Sequence, residues 1–151
     1  MNGIVGAVEF DLETTASPEK VRTALIDFSE RRTQLWPGRA LYEVYSVGET
    51  TADVREGSKV PGGKVWARER YDWSGLHTVR WTVQESNFSA PGSYVAATIR
   101  AGRDGGSVVH VTWDRTGSTV FGRLICRVIR TSKGKPVAAS FKGALAVLES
   151  A

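Results

Sequence analysis

Six consecutive segments after Gly38 alternate apolar and polar residues with a period of two, the pattern of strands that bury one face. Short turn sequences, such as Pro61-Gly62-Gly63 and Asp104-Gly105-Gly106, separate them. Connections this short join antiparallel neighbours, because a parallel crossover needs about a dozen residues. The sequence therefore predicts an antiparallel meander. Its strands are expected at Leu41–Val47, Ala52–Glu56, Val65–Trp73, Thr78–Ser86, Tyr94–Arg100 and Val108–Arg115.

A further strand and two short helices precede this meander. Residues 8–12 alternate apolar and acidic side chains, which indicates a half-buried strand. Ser17-Pro18 then begins a helix, because serine caps helix N-termini well and proline suits the first helical position. A second short helix is expected from Glu30 to Trp36, where Pro37-Gly38 ends it.

From Thr119 the helical period returns, with an interruption at Gly134 and Pro136. The sheet has one apolar face to cover, and this C-terminal helix is the element long enough to cover it. We therefore expect one domain spanning residues 1–151 with an α+β fold. In it a curved antiparallel sheet of about seven strands wraps around a long C-terminal helix, with two short helices after the first strand.

The charge is concentrated at the C-terminal end, where Arg115 to Ala151 contain seven basic and one acidic residue. Arg123, Arg127 and Arg130 share one arc of the helix, opposite Leu124, Ile125, Val128 and Ile129. This arc indicates either docking to a membrane surface or acidic partner, or an ordinary solvated helix face. The sequence lacks the basic–aromatic pattern of RNA-binding modules, so a nucleic-acid partner is not expected.

Several other classes of site are disfavoured. Cys126 is the single cysteine, so no internal disulfide forms, and only His77 and His110 could join it in a metal site. His110 has outward parity, so we expect no metal, no nucleophile–histidine pair and no cofactor. The first ten residues lack the pattern of a signal peptide, and no apolar run is long enough for a membrane span. The default expectation is therefore a cytoplasmic location.

Five tryptophans are unusual for a chain of this length. Strand parity places Tyr71, Trp73, Trp81 and Trp113 on the inner face and Trp66 on the outer face. Together the inner rings predict an aromatic wall that suits a flat, polycyclic ligand. The alternative is that the rings simply fill the core.

Two carboxylates, Glu69 and Glu85, also have inward parity. A buried carboxylate is neutral, paired or used, because an unpaired buried charge is costly. One of them is expected to hydrogen-bond a ligand hydroxyl or to act as a general base beside a carbonyl, and Glu69 is the candidate catalytic residue. The alternatives are an ion pair with an arginine, a strand-end position that reaches water, or a β-bulge that reverses the parity.

Three stretches of the chain carry a family resemblance. The first runs from Val8-Glu9-Phe10 through Ser17-Pro18-Glu19-Lys20-Val21 to Trp36-Pro37. The second covers Val65 to Trp73 together with Val79-Arg80-Trp81. The third is the C-terminal helix, which ends at Leu145 to Glu149. In element order and apolar spacing they resemble the START/birch-pollen-allergen (SRPBCC) superfamily, and within it the polyketide cyclase/dehydrase-like branch. This resemblance implies the helix-grip fold, with a cavity between sheet and C-terminal helix that holds a lipid-like or polycyclic molecule.

Three functions follow as hypotheses. The first is binding of a hydrophobic small molecule in an internal cavity. The second is a polyketide aromatase/cyclase in which Glu69, with Tyr71 or Tyr45, transfers protons, and the third is a docking module that uses the basic helix. The residues expected to line the cavity are Trp36, Tyr45, Glu69, Tyr71, Trp73, Trp81, Glu85, Trp113 and Phe141.

Overall fold

A computed structural model describes residues 7–150, so Ala151 and residues 1–6, part of the segment searched for a signal sequence, lie outside the description. The elements follow the predicted order of strand, two short helices, six strands and C-terminal helix. The strands are β1 (Val8–Thr14), β2 (Arg39–Val47), β3 (Thr51–Val60), β4 (Gly63–Asp72), β5 (Thr78–Ser86), β6 (Tyr94–Ala101) and β7 (Ser107–Asp114). The helices are α1 (Pro18–Leu25), α2 (Arg32–Leu35), α3 (Val120–Thr131) and α4 (Lys135–Glu149).

All seven strands form one antiparallel sheet in the spatial order β1-β7-β6-β5-β4-β3-β2. Strands β2 to β7 are neighbours in chain order, which confirms the predicted meander, and β1 extends the sheet beside β7. Every second side chain of the central strands is buried, as Val95, Ala97 and Ile99 of β6 illustrate. We call the buried side of the sheet the inner face.

Strand β3 is longer than its apolar pattern predicts. It continues beyond Glu56 to Val60, which pairs with Gly63 across a tight hairpin. The residues at positions 58 and 59 are polar, so the alternation of apolar residues does not predict this extension. Pairing with β4 satisfies their backbone groups. Gly62 forms the turn at a positive φ of 94°, a conformation that favours glycine.

The predicted N-terminal cap of α1 is confirmed, and α2 is shorter than predicted. The Ser17 hydroxyl accepts a hydrogen bond from the Lys20 amide at 3.2 Å, and Pro18 occupies the first turn of α1. The second helix is a single turn over Arg32–Leu35 rather than the predicted Glu30–Trp36. None of the helices in residues 7–150 is both long enough and apolar enough to cross a bilayer.

The C-terminal helix breaks where the sequence predicts. Lys133 and Gly134 both adopt positive φ between α3 and α4, and Pro136 lies in the first turn of α4. A side chain at position 134 would come within 2.5 Å of the Val8 side chain, so glycine lets the break pass close to β1. Beyond this break α4 buries Phe141, Ala144 and Leu145 against the inner face.

The orientation of α3 differs from the prediction. Its buried residues are Gly122 and Cys126, whereas Leu124 and Val128 are 58% and 50% exposed. The close approach of Gly122 to the backbone of Phe88 leaves Leu124 and Val128 outside, whereas Ile125 and Ile129 of the same arc are half-buried and Ile129 packs against the core. Small residues decide this packing, and a rule based on large apolar side chains overlooks them.

This packing predicts opposite effects of the same substitution at two helical glycines. A methyl group at position 122 would overlap the Phe88 carbonyl, whose carbon would lie only 2.7 Å away. We expect Gly122→Ala to lower the free energy of unfolding by about 2 kcal/mol or more. At Gly143, exposed on α4, no atom lies within 4 Å of the added methyl, so Gly143→Ala should raise stability by about 0.5–1 kcal/mol.

Urea unfolding of both variants checks this prediction. Similar small changes for the two variants would show that α3 does not pack on Phe88 as described.

Candidate functional site

Aromatic rings occupy the centre of the space between the inner face and α4. Tyr71 stacks on Trp81 with ring centroids 5.2 Å apart, and Trp81 stacks on Phe141 at 6.1 Å. Trp36 contacts Phe141 in a T-shaped arrangement with ring centroids 5.2 Å apart. Trp73 and Trp113 are also buried, so the inward parity predicted for the strand aromatics is confirmed.

These rings leave little free volume beside them. An apolar gap of about 10 Å³ lies between α1, α2, α4 and the sheet, with Trp36, Phe141 and Leu145 in its wall. Such a gap has room for about one water molecule. Ala24, Leu35 and Leu148 line both this gap and an open cleft of about 180 Å³ at the surface between α2 and α4. The gap and the cleft therefore lie on the two sides of the contact between α2 and α4, which we call the α2–α4 seam.

A buried ion pair joins α2 to the inner face. The Arg32 Nε donates to Glu56 Oε1 at 2.6 Å, and both side chains are almost fully buried. Arg32 Nη2 donates to the Tyr71 hydroxyl at 2.9 Å, and that hydroxyl donates to Glu56 Oε2 at 2.6 Å. Arg32 Nη1 donates to the carbonyls of Leu25 and Asp27. We call Arg32, Glu56 and Tyr71 the α2 triad.

The environment of the α2 triad shifts its pKa values in the directions that keep Arg32 and Glu56 charged and Tyr71 neutral. Burial opposes ionisation of Glu56, but the charges of Arg39 and Arg32 and the hydrogen bonds from Tyr71 and Arg32 lower its pKa to about 2. Burial raises the pKa of Tyr71 above its usual value, and the Glu56 charge adds to this effect. Tyr71 is therefore a hydrogen-bond donor at neutral pH, and Glu56 is an anion.

A second buried ion pair lies beside the first on the inner face. Arg115, directly after β7, donates from Nη2 to Glu69 Oε2 at 3.0 Å. Glu69 pairs across the strands with Val54, two residues before Glu56, so the two carboxylates are diagonal neighbours on adjacent strands. Burial raises the pKa of Glu69, the Arg115 charge opposes this, and the Glu56 charge adds to the rise.

Six buried polar side-chain atoms of the described residues lack a hydrogen-bond partner. They are Trp36 Nε1, Arg39 Nε, Tyr42 Oη, Ser89 Oγ, Arg115 Nη1 and, beside Trp66 on the outer face, Arg55 Nε. Arg39 also lies 3.5 Å from Glu56 and places its guanidinium over the Trp36 ring. A buried donor without an acceptor costs about 1–3 kcal/mol, so these atoms favour a molecule that supplies acceptor oxygens.

Two of the predicted lining residues lie elsewhere. Glu85 is exposed and faces Arg68 on the outer face at 3.9 Å, because a register shift between Arg68 and Glu69 reverses the parity at the end of β5. Tyr45 is 44% exposed, donates to Glu43 and lies under the Arg68 guanidinium, so it cannot assist Glu69. The β2 register also shifts between Val44 and Ser46.

The proposed pairing of Glu69 with Tyr71 also does not form, because the Tyr71 hydroxyl is engaged by Glu56 and Arg32. His110 faces outward as predicted, between the carboxylates of Asp11 at 2.7 Å and Glu9 at 3.0 Å. Among residues 7–150 no three His, Cys, Asp or Glu side chains are grouped so that they could hold a metal ion.

Four charged residues of the interior were missed from the sequence. Glu56 and Arg115 extend the inward parity of their strands, after Ala52 and Val54 in β3 and after Val111 and Trp113 in β7. The rule that identified Glu69 would therefore have found both. Arg32 and Arg39 gave no such signal, because a single helical turn and a strand end have no readable period.

Comparison with known proteins supports the fold. No protein-family model matches the chain, and a search of curated protein sequences finds no match. Solved structures do match, and the helix-grip architecture is shared with them.

Three matches illustrate this likeness. A protein from Thermus thermophilus is 19% identical, with a TM-score of 0.78 over 94% of this chain and 96% of that one. The Zhui aromatase/cyclase from a Streptomyces species is 14% identical, with a TM-score of 0.78 over 95% of this chain and 93% of that one. A START superfamily protein from Mycobacterium smegmatis is 13% identical, with a TM-score of 0.76 over 95% and 99%.

The two buried carboxylates predict pH dependences of opposite sign. Glu56 has a lowered folded pKa, so its stabilisation is present above its ordinary pKa of 4.5 and disappears as pH falls towards about 2. Glu56→Gln should therefore lower the free energy of unfolding by on the order of 3 kcal/mol at neutral pH and by progressively less in that acid range.

Glu69 has a raised folded pKa, so its charged form lowers the free energy of unfolding as pH rises above 4.5. The difference in free energy of unfolding between the unsubstituted protein and Glu69→Gln should therefore become smaller as pH rises above 4.5.

Chemical unfolding across the acid range, for the unsubstituted protein and both variants, measures these two slopes. Parallel curves for the two variants would contradict the assigned ionisation states.

Proposed function

We propose that this helix-grip protein binds a hydrophobic small molecule that carries an acceptor oxygen, between the inner face of the sheet and α4. The observation that carries the proposal is the set of N–H groups without partners in an aromatic interior that also holds two ion pairs, above all Trp36 Nε1 and Arg115 Nη1. Specific small-molecule sites commonly combine such an apolar wall with a few polar groups that fix the orientation of the ligand. The fold shared with a START superfamily protein and an aromatase/cyclase supports this reading by analogy.

Access to this site requires movement of α4. The gap beside Phe141 is far smaller than the several hundred cubic ångströms of a typical ligand pocket. The gap and the surface cleft share three apolar lining residues, Ala24, Leu35 and Leu148. Separation of α4 from α2 would join the two spaces, while the α2 triad keeps α2 attached to the sheet.

The polar end of the ligand would meet arginine and indole donors. Trp36 Nε1, Arg39 Nε and Arg115 Nη1 lack acceptors, whereas the carboxylate oxygens of Glu56 already accept from Arg32 and Tyr71. This excess of donors favours carbonyl, phenolate or carboxylate oxygens over ammonium groups. An anionic aromatic probe tests this combination directly.

We expect 1-anilinonaphthalene-8-sulfonate to bind saturably and to quench tryptophan fluorescence. Trp36→Phe keeps an aromatic ring against Phe141 but removes the unpartnered N–H, so it should weaken binding by about five- to tenfold. Trp66→Phe is the matched control, because Trp66 lies on the outer face under the Arg55 guanidinium, and it should leave the affinity unchanged. Equal affinities for both variants, or no saturable binding, would contradict the proposal.

A cyclase-type reaction is the second candidate. The observation that favours it is Glu69, a buried carboxylate with a raised pKa whose partner Arg115 keeps one N–H free. Glu69 would remove a proton beside a substrate carbonyl, and Arg115 Nη1 would hydrogen-bond the enolate oxygen that forms.

A matched pair of variants separates catalysis from binding. On a polyketide that the protein cyclises, Glu69→Gln should lower kcat by at least about a hundredfold with little change in KM, whereas the outer-face Glu85→Gln should change neither. Unchanged turnover in Glu69→Gln would exclude Glu69 as the base.

A further inference from the structure

An apolar stripe runs along the outer side of α3. Val120, Leu124 and Val128 repeat once per helical turn and are 77%, 58% and 50% exposed. The opposite side of the helix buries Gly122 and Cys126 against the protein. We call these three exposed residues the α3 stripe. Large apolar side chains grouped in this way on a surface mark an interaction site.

Positive charge borders the α3 stripe. Arg123 and Arg127 follow Val120 and Leu124 by three residues, so they are neighbours of the stripe on the helix surface, and both are exposed. No acidic residue occurs in α3. Arg130 does not belong to this surface, because it donates to the Arg115 carbonyl and lies over the Trp113 ring. The three-arginine arc predicted from the sequence therefore reduces to two exposed arginines beside an apolar stripe.

The position of α3 is fixed on its other side. Gly122 packs on the Phe88 backbone, and Arg130 connects the last turn to the residue after β7. The helix can therefore present its stripe to a partner without leaving the protein. This contrasts with α4, whose apolar stripe is already covered by the sheet.

We propose that α3 docks on an anionic lipid surface, with the α3 stripe in the headgroup–acyl boundary and Arg123 and Arg127 among the phosphates. An apolar face flanked by arginines is the pattern of interfacial helices, and arginine stems extend along the boundary while their charge stays in water. A second copy of this chain fits less well, because a two-fold contact through the stripe would bring the arginines of both copies together. The proposal does not depend on the interior site.

Sedimentation with vesicles tests the docking surface. The protein is mixed at low salt with phosphatidylcholine vesicles that contain about one-third phosphatidylserine, and with vesicles of phosphatidylcholine alone. We expect binding to the anionic vesicles, at least about tenfold weaker binding to the neutral ones, and a decrease as salt is added.

Two pairs of variants distinguish a specific role of the α3 stripe and its arginines from general effects of net charge or of exposed apolar side chains. Arg123→Glu/Arg127→Glu should weaken vesicle binding at least about tenfold, whereas Arg70→Glu/Arg103→Glu, an equal charge change at exposed sites away from α3, should have a much smaller effect. Leu124→Gln should weaken it by about tenfold, whereas Leu76→Gln, at an even more exposed leucine in the β4–β5 turn, should not.

Circular dichroism verifies that each variant is folded. Absence of vesicle binding, equal binding to both kinds of vesicle, or equal losses within either pair would overturn the proposal. Concentration-dependent dimerisation that Leu124→Gln abolishes, without vesicle binding, would assign the stripe to a second copy instead.

Discussion

The Arg32–Glu56 ion pair is the interaction on which the rest of the interior depends. It lies in a nearly water-free site, where two unpaired charges would each cost several kcal/mol. The pair is tolerated because its own charged groups are engaged: Tyr71 bridges both partners, and two backbone carbonyls accept from Arg32. This arrangement holds the single turn of α2 against the sheet and also fixes the Tyr71 ring on which Trp81 stacks.

The second ion pair contrasts with the first. Glu69 and Arg115 are buried to a similar extent, but Arg115 retains an N–H without an acceptor, and Glu69 has a raised rather than lowered pKa. The first pair is a saturated structural network, while the second has spare hydrogen-bonding capacity beside an aromatic wall. Such spare capacity is where a ligand or substrate oxygen gains most, because it satisfies donors that the folded chain leaves unpaired.

Strand parity alone could predict most of the fold and the inner aromatic wall. It placed Tyr71, Trp81 and Trp113 correctly because the central strands pair without interruption there. It was wrong for Glu85, where a register shift reverses the side-chain direction, and such shifts leave no mark in the apolar pattern. It could not reveal Arg32, whose burial depends on a tertiary contact between a one-turn helix and β3, nor the α3 orientation, which Gly122 decides through a backbone contact.

The buried N–H of Trp36 lacks an acceptor in the protein, and its indole proton resonance reports directly on whether a ligand oxygen binds there. In a ¹H–¹⁵N spectrum with the indole signals assigned by single Trp→Phe substitutions, a bound hydrophobic anion should shift the Trp36 Nε1–H signal downfield, as expected when a free N–H gains an acceptor. The Trp66 signal should stay in place, since Trp66 lies on the outer face. An unmoved Trp36 signal at saturating ligand would show that no ligand oxygen binds this N–H and would leave the interior a filled aromatic core.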